Sequence, residues 1–141
     1  MRDFFDTSVL VAAFWRGHAQ HESSLRLFAS ATREECACGI HTLAEVYASM
    51  SALPVKPMIP SEQAFLFVEE IRQRLSLISL SEREYLAAIQ NASQQGLTGG
   101  RIYDALLLRC AAKCDARNIF TLNLKHFQSI APGLADRMRI P

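Results

Sequence analysis

The sequence contains no long hydrophobic run. Its longest uninterrupted apolar stretch is Val9 to Trp15, far short of the ~20 residues that a membrane-spanning helix needs. No small-residue cleavage site follows an apolar stretch near Met1-Arg2-Asp3, so a cytoplasmic protein without a secretory signal is expected. Glycine and proline are sparse, 6 and 5 in 141 residues, which excludes a collagen-like repeat. With 50% hydrophobic and 21% charged residues, the chain is neither a disordered tail nor a coiled coil, and a single globular domain over residues 1–141 is expected. Linkers, internal repeats and low-complexity segments are absent as well.

Neither sign of charge dominates. The net charge of +1 makes no overall electrostatic case for nucleic acid. The distribution is uneven, however. Residues 1–70 hold five Lys+Arg against nine Asp+Glu, and residues 71–141 hold ten against five. Twelve of the fifteen basic residues are Arg, the side chain better suited to bidentate phosphate contacts.

Several familiar site patterns are also missing. Cys36, Cys38, Cys110 and Cys114 lack the spacing and the neighbouring His of a zinc site, and are expected as free thiols. Each pair shares one face, the first of a strand and the second of a helix. His18, His21, His41 and His126 form no metal spacing and read as surface or capping residues. Ser8, Ser49 and Ser51 lack the G-x-S-x-G context of a hydrolase nucleophile. Thr98-Gly99-Gly100-Arg101 resembles a phosphate-binding turn but has no P-loop Lys-Ser/Thr.

What is present is a regular alternation of strand and helix patterns. Strands are expected at Arg2–Phe5, Glu35–Ile40, Leu75–Leu80 and Asn118–Thr121, with a terminal fifth at Met138–Pro141. Helices are expected at Val9–Trp15, at His21–Ala31 with Leu25, Leu27 and Phe28 inward, and at Thr42–Leu53 with a Thr42–Glu45 capping box. Pro54, Pro57 and Pro60 make a connection. Further helices follow at Ser61–Arg74 and from Ser81 to about Gln95, the latter with a Ser81–Glu84 capping box. Arg101–Cys114 reads as a helix that is apolar almost all round and so buried. Lys125–Arg137 is mostly helical around Pro132-Gly133. This order predicts an α/β fold, a parallel sheet of four to five strands with helices on both faces.

In such sheets, sites form beyond the carboxyl ends of the strands. Asp6 follows the first strand and Glu45 follows the second. Asp104 sits in the first turn of the apolar helix, and Asn123 follows the fourth strand. Three carboxylates and an amide from distant segments therefore lie at one sheet edge. Clustered carboxylates repel unless a cation neutralises them. An all-oxygen set suits a hard divalent ion such as Mg²⁺ or Mn²⁺. Such an ion can activate water and clamp a phosphodiester.

Each residue also has a plainer reading. Asp6 can cap the turn into Val9, Glu45 can complete the capping box with Thr42, Asp104 can favour its helix N-terminus or pair with Arg101, and Asn123 can cap the helix near Leu124.

The segments "FFDTSVLVAAF", "HTLAEVYASM", "GGRIYDALLLRCAAK" and "IFTLNLKHF" resemble, in order and spacing, the successive motifs of PIN-domain ribonucleases, including the single-domain toxins of toxin–antitoxin pairs. The resemblance covers nearly the whole chain. It implies a three-layer α/β/α sandwich, divalent-metal-dependent RNA endonuclease activity, frequently a homodimer, and inhibition of toxin members by a small antitoxin. It implies metal ligation by Asp6, Asp104 and Glu45, the last directly or through water. Asn123 matches the fourth polar position, Thr121 the hydroxyl residue near it, and Ser8 the small polar residue after the first Asp. The sequence departs at His126, where many relatives carry an acid before the Phe.

Two rivals stand beside this reading. One is a phosphatase using Asp6 as nucleophile, which would want a second Asp two residues on, where the chain has Ser8. The other is an RNA-binding or regulatory PIN module with too weak a metal site. Phe65, Phe67, Val68 and Ile71 give helix Ser61–Arg74 more apolar surface than one buried stripe needs, so part of it is expected to meet a second copy or an antitoxin helix.

Overall fold

The computed structural model describes residues 1–141. Five short strands run β1 (Asp3–Phe5), β2 (Cys36–Gly39), β3 (Ser76–Ile78), β4 (Asn118–Phe120) and β5 (Met138–Arg139). They form one sheet in the order β3-β2-β1-β4-β5, and every pairing is parallel. Each crossover is helical, as parallel neighbours require. α1 (Thr7–Phe14) and α2 (His21–Ala29) join β1 to β2. α3 (His41–Ser51) and α4 (Ser61–Arg74) join β2 to β3. α5 (Glu82–Gln94) and α6 (Arg101–Lys113) join β3 to β4. α7 (Leu124–Ile130) and a 3-10 segment (Pro132–Arg137) lead to β5.

Side chains alternate across the strands, so the sheet separates two cores. Phe5, Cys36 and Cys38 face one side and pack with Leu10, Val46, Met50 and Ile71 from α1, α3 and α4. Phe4, Ala37 and Ile119 face the other and pack with Leu107, Leu108, Cys110 and Phe127 from α6 and α7. The result is the expected three-layer α/β/α arrangement. Gly39 allows α6 to lie close on β2, because a Cβ there would stand 2.6 Å from Leu107 Cδ2.

Local signals hold where the partners are near in sequence. α4 begins and ends at Ser61 and Arg74, and the Ser81–Glu84 capping box forms in both directions. Three details differ from expectation. α3 begins at His41 without a side-chain cap, and the Thr42–Glu45 box does not form. Thr42 is buried, and both side chains turn instead to Thr7 of α1. Leu25 points outward at 41% exposure, because the short α2 buries only Ser24 and Phe28 fully. α6 is one-sided rather than apolar all round. It buries Leu106, Leu107, Leu108, Cys110 and Ala111, while Arg101, Tyr103 and Lys113 face outward. All four cysteines are free, as expected.

Candidate active site

The chain builds β2 and β3 on one side of β1, then returns to build β4 on the other. This reversal opens a crevice beyond the carboxyl ends of β1 and β4. Asp6 extends the ladder by one bond, its N–H donating to Phe120 O at 2.9 Å. That bond pins the backbone at the mouth of the crevice.

The Asp6 side chain is only 2% exposed and is held by two hydroxyls. Ser8 Oγ donates to Asp6 Oδ2 at 2.7 Å, and Thr121 Oγ1 donates to the same oxygen at 3.0 Å. Both hydroxyls are oriented in turn by backbone amides beyond β4. The Leu122 N–H donates to Ser8 Oγ, and the Asn123 N–H donates to Thr121 Oγ1, each at 3.0 Å. Asp6 therefore stands at the N-cap position of α1 without making a side-chain cap bond. Its second oxygen, Oδ1, is left without a hydroxyl partner.

Glu45 is half-buried on α3, where its Oε1 accepts from Thr7 Oγ1 at 3.0 Å. Asp104, in the first turn of α6, accepts at Oδ2 from His126 Nε2–H at 2.8 Å. Against an ionised carboxylate, that nitrogen must carry the proton. Asn123 is exposed at the start of α7, and its side chain caps nothing. The side-chain caps expected of Asp6, Glu45 and Asn123 do not form, while Asp104 keeps its place in the first turn of α6 and is ion-paired to His126 rather than Arg101. His126 belongs to the crevice rather than to the plain surface. The resemblance marks position 126 only as a departure, and Thr7 carries no signal in sequence, since each contact spans distant segments.

Asp6 and Glu45 each feel the charge of Asp104. Burial pushes Asp6 up to about 6, and the charge of Asp104 adds to that rise against the restraint of Ser8 and Thr121. Burial also raises Glu45, again with Asp104 contributing, while Thr7 and His41 hold it down. Burial raises Asp104 itself, with His126 and Arg101 opposing. The ion pairs of Lys and Arg lie elsewhere, at Asp3, Glu35, Glu69, Glu70, Glu84 and Asp115. Three carboxylates at one sheet edge, none ion-paired to Lys or Arg, are oxygen donors of the kind a divalent cation takes. No three His, Cys, Asp or Glu side chains close into a ready-made cage.

Residues 4–131 match the PIN domain family. The chain is 35% identical over 109 residues to "Ribonuclease VapC27" of Mycobacterium tuberculosis, covering 77% of this chain and 75% of that protein. It is 27% identical over 139 residues to "Ribonuclease VapC40" of the same species, covering 96% and 92%. Among solved structures, VapC20 of Mycobacterium tuberculosis superposes with a TM-score of 0.66 at 19% identity, covering 83% of this chain and 86% of that one. VapBC2 of Rickettsia felis, solved with a promoter DNA fragment, superposes at 0.65 and 23% identity, covering 99% and 98%. These structures share its fold. With the match running from β1 to the end of α7, the chain belongs to the PIN-domain family.

Proposed function

We propose that this chain is a divalent-metal-dependent endoribonuclease that hydrolyses RNA phosphodiesters, and that it is the toxin of a toxin–antitoxin pair. The observation that carries this reading is that Asp6 and Glu45 both feel the charge of Asp104 at one sheet edge, with no Lys or Arg ion-paired to any of the three. Its ribonuclease relatives support the substrate class.

Asp6 and Asp104 would hold the cation, Mg²⁺ or Mn²⁺, with Glu45 joining directly or through water. When bound, the ion supplies charge neutralisation, an activated water and a clamp on the phosphate. The chain's own residues do the rest. Ser8 and Thr121 lock the Asp6 carboxylate through Oδ2 and leave Oδ1 without a hydroxyl partner. Glu45, held by Thr7 and raised in pKa by burial, would orient the attacking water. Asn123 would support phosphate or bound water from the start of α7, and Thr121 through its bond to Asp6. An aspartyl-nucleophile phosphatase fits less well, because Asp6 is buried and position 8 supplies a hydroxyl that is tied back onto it.

The partner surface differs in detail from expectation. Phe67 stacks on Phe14 at 4.6 Å, and Ile71 is buried, so these residues serve the core. Phe65 and Leu66, at 54% and 58% exposure, form the outward face of α4 beside Tyr47 of α3. We assign this face to a second copy of the chain or to an antitoxin helix.

The experiment is cleavage of RNA by purified protein in Mg²⁺, in Mn²⁺ and in EDTA. Cleavage with either metal, lost in EDTA and in Asp6→Ala and Asp104→Ala proteins that remain folded by circular dichroism, is expected. Full activity in either variant overturns the site. RNA binding without cleavage in any metal favours a regulatory module instead.

A further inference from the structure

His41 and Tyr103 meet across the mouth of the crevice in a near-parallel stack, with ring centroids 5.1 Å apart and planes 11° apart. They come from different helices. His41 is the first residue of α3, and Tyr103 lies in the first turn of α6. His41 ties the stack to a carboxylate of the site. His41 and Glu45 stand four apart on one face of α3, and Tyr103 immediately precedes Asp104. His41 is close enough to Glu45 to restrain its pKa.

The stack is not part of either core. Tyr103 is 45% exposed and His41 is half-buried, while neighbouring Ile40 is 51% exposed. An aromatic side chain left half in water gains by covering its free face, and parallel ring contacts are favourable when offset. Because the two rings already support each other, ordering them on binding costs little. Unpaired RNA bases are recognised by stacking on such aromatic faces.

We propose that the His41–Tyr103 stack is a nucleobase platform. It receives an unpaired base of single-stranded RNA next to the phosphate that faces Asp6, Glu45 and Asp104. The inference rests on the ribonuclease reading and adds to it a positioning contact with the substrate. Stacking is tolerant of base identity, so the platform sets single-strand preference and register more than sequence. A duplex, whose bases are already stacked on one another, would be a poor ligand.

The test uses the full chain and short single-stranded RNAs carrying 2-aminopurine or an abasic site at successive positions. Binding is read in EDTA by fluorescence, and cleavage is read separately in Mn²⁺. The wild type is expected to quench 2-aminopurine at one position. Tyr103→Ala should abolish that quenching, weaken binding and raise KM by about tenfold with a smaller change in kcat. Tyr103→Phe should restore both. The Tyr103→Ala defect should vanish on RNA that is abasic at the same position. His41→Ala, which removes the other half of the stack, should reproduce the loss. Wild-type cleavage with unchanged KM and quenching in folded Tyr103→Ala overturns the platform and leaves the ribonuclease reading standing. A defect that persists on the abasic RNA, or that Tyr103→Phe does not repair, also overturns it. A wild type that neither binds nor cuts RNA overturns both.

Discussion

His126 Nε2 lies 2.8 Å from Asp104 Oδ2 and makes the one charge-capable contact to the Asp104 carboxylate. It joins the first turn of α6 to α7. This imidazole lowers the pKa of Asp104 against the rise that burial imposes. His126→Ala should therefore raise that pKa, so that Asp104 becomes available as an anion only at higher pH. The acid limb of the pH–rate profile is expected to move upward, with the alkaline plateau little changed. Coincident profiles for the two proteins would show that His126 does not tune Asp104.

Asp6 should make the metal-free protein less stable as pH rises. Its folded pKa is about 6, against an ordinary value of 3.8. Between those values the folded chain holds a proton that the unfolded chain has released. Stability contributed by protonated Asp6 is thus complete below about pH 4 and lost as pH passes about 6. The loss is of the order of 1–3 kcal/mol. Asp6→Asn should be inactive yet more stable than the wild type at pH 8 in EDTA, with the difference closing near pH 4. Urea unfolding curves across this range provide the check, and added Mn²⁺ should rescue only the wild type.

Thr121→Val tests the hydroxyl clamp. Thr121 is fully buried and bridges Asp6 Oδ2 and the Asn123 N–H. Removing the hydroxyl leaves a backbone donor unpaired, at about 1–3 kcal/mol. It also removes a donor that favours ionised Asp6. Both a lower denaturation midpoint and weaker Mn²⁺ binding at pH 6–7 are expected. A stability loss with unchanged metal affinity would make Thr121 a purely structural residue.

Asn123→Asp separates metal support from capping. The amide is exposed and caps nothing, so it is free to turn toward the crevice. An added carboxylate there should tighten Mn²⁺ binding without RNA by ~1–2 kcal/mol. Calorimetric titration of both proteins reads this directly. Equal affinities would leave Asp6, Glu45 and Asp104 to carry the ion alone.

Much of the architecture was legible along the chain because its causes are local. The helical spacing of Phe65, Val68 and Ile71 marked α4, and Ser81 with Glu84 marked the start of α5. The alternation of strands and helices implied a parallel sheet, and a parallel sheet implied that Asp6, Glu45, Asp104 and Asn123 share its carboxyl edge. The sequence by itself therefore determined the elements, the layer arrangement and which polar residues could meet.

Only the tertiary structure decided how they meet. Thr42 and Glu45 have the spacing of a capping box, but α1 brings Thr7 between them and the local bond is replaced by a distant one. Whether Ser8 faces solvent or Asp6 depends on β4 lying beside β1, since the Leu122 amide turns its hydroxyl. His126 reaches Asp104, and Tyr103 reaches His41, only because the strand order packs the starts of α3, α6 and α7 around one crevice. Hydrogen bonds within one helical turn are encoded by spacing. Contacts between segments tens of residues apart depend on strand order and register, which single-residue patterns do not carry.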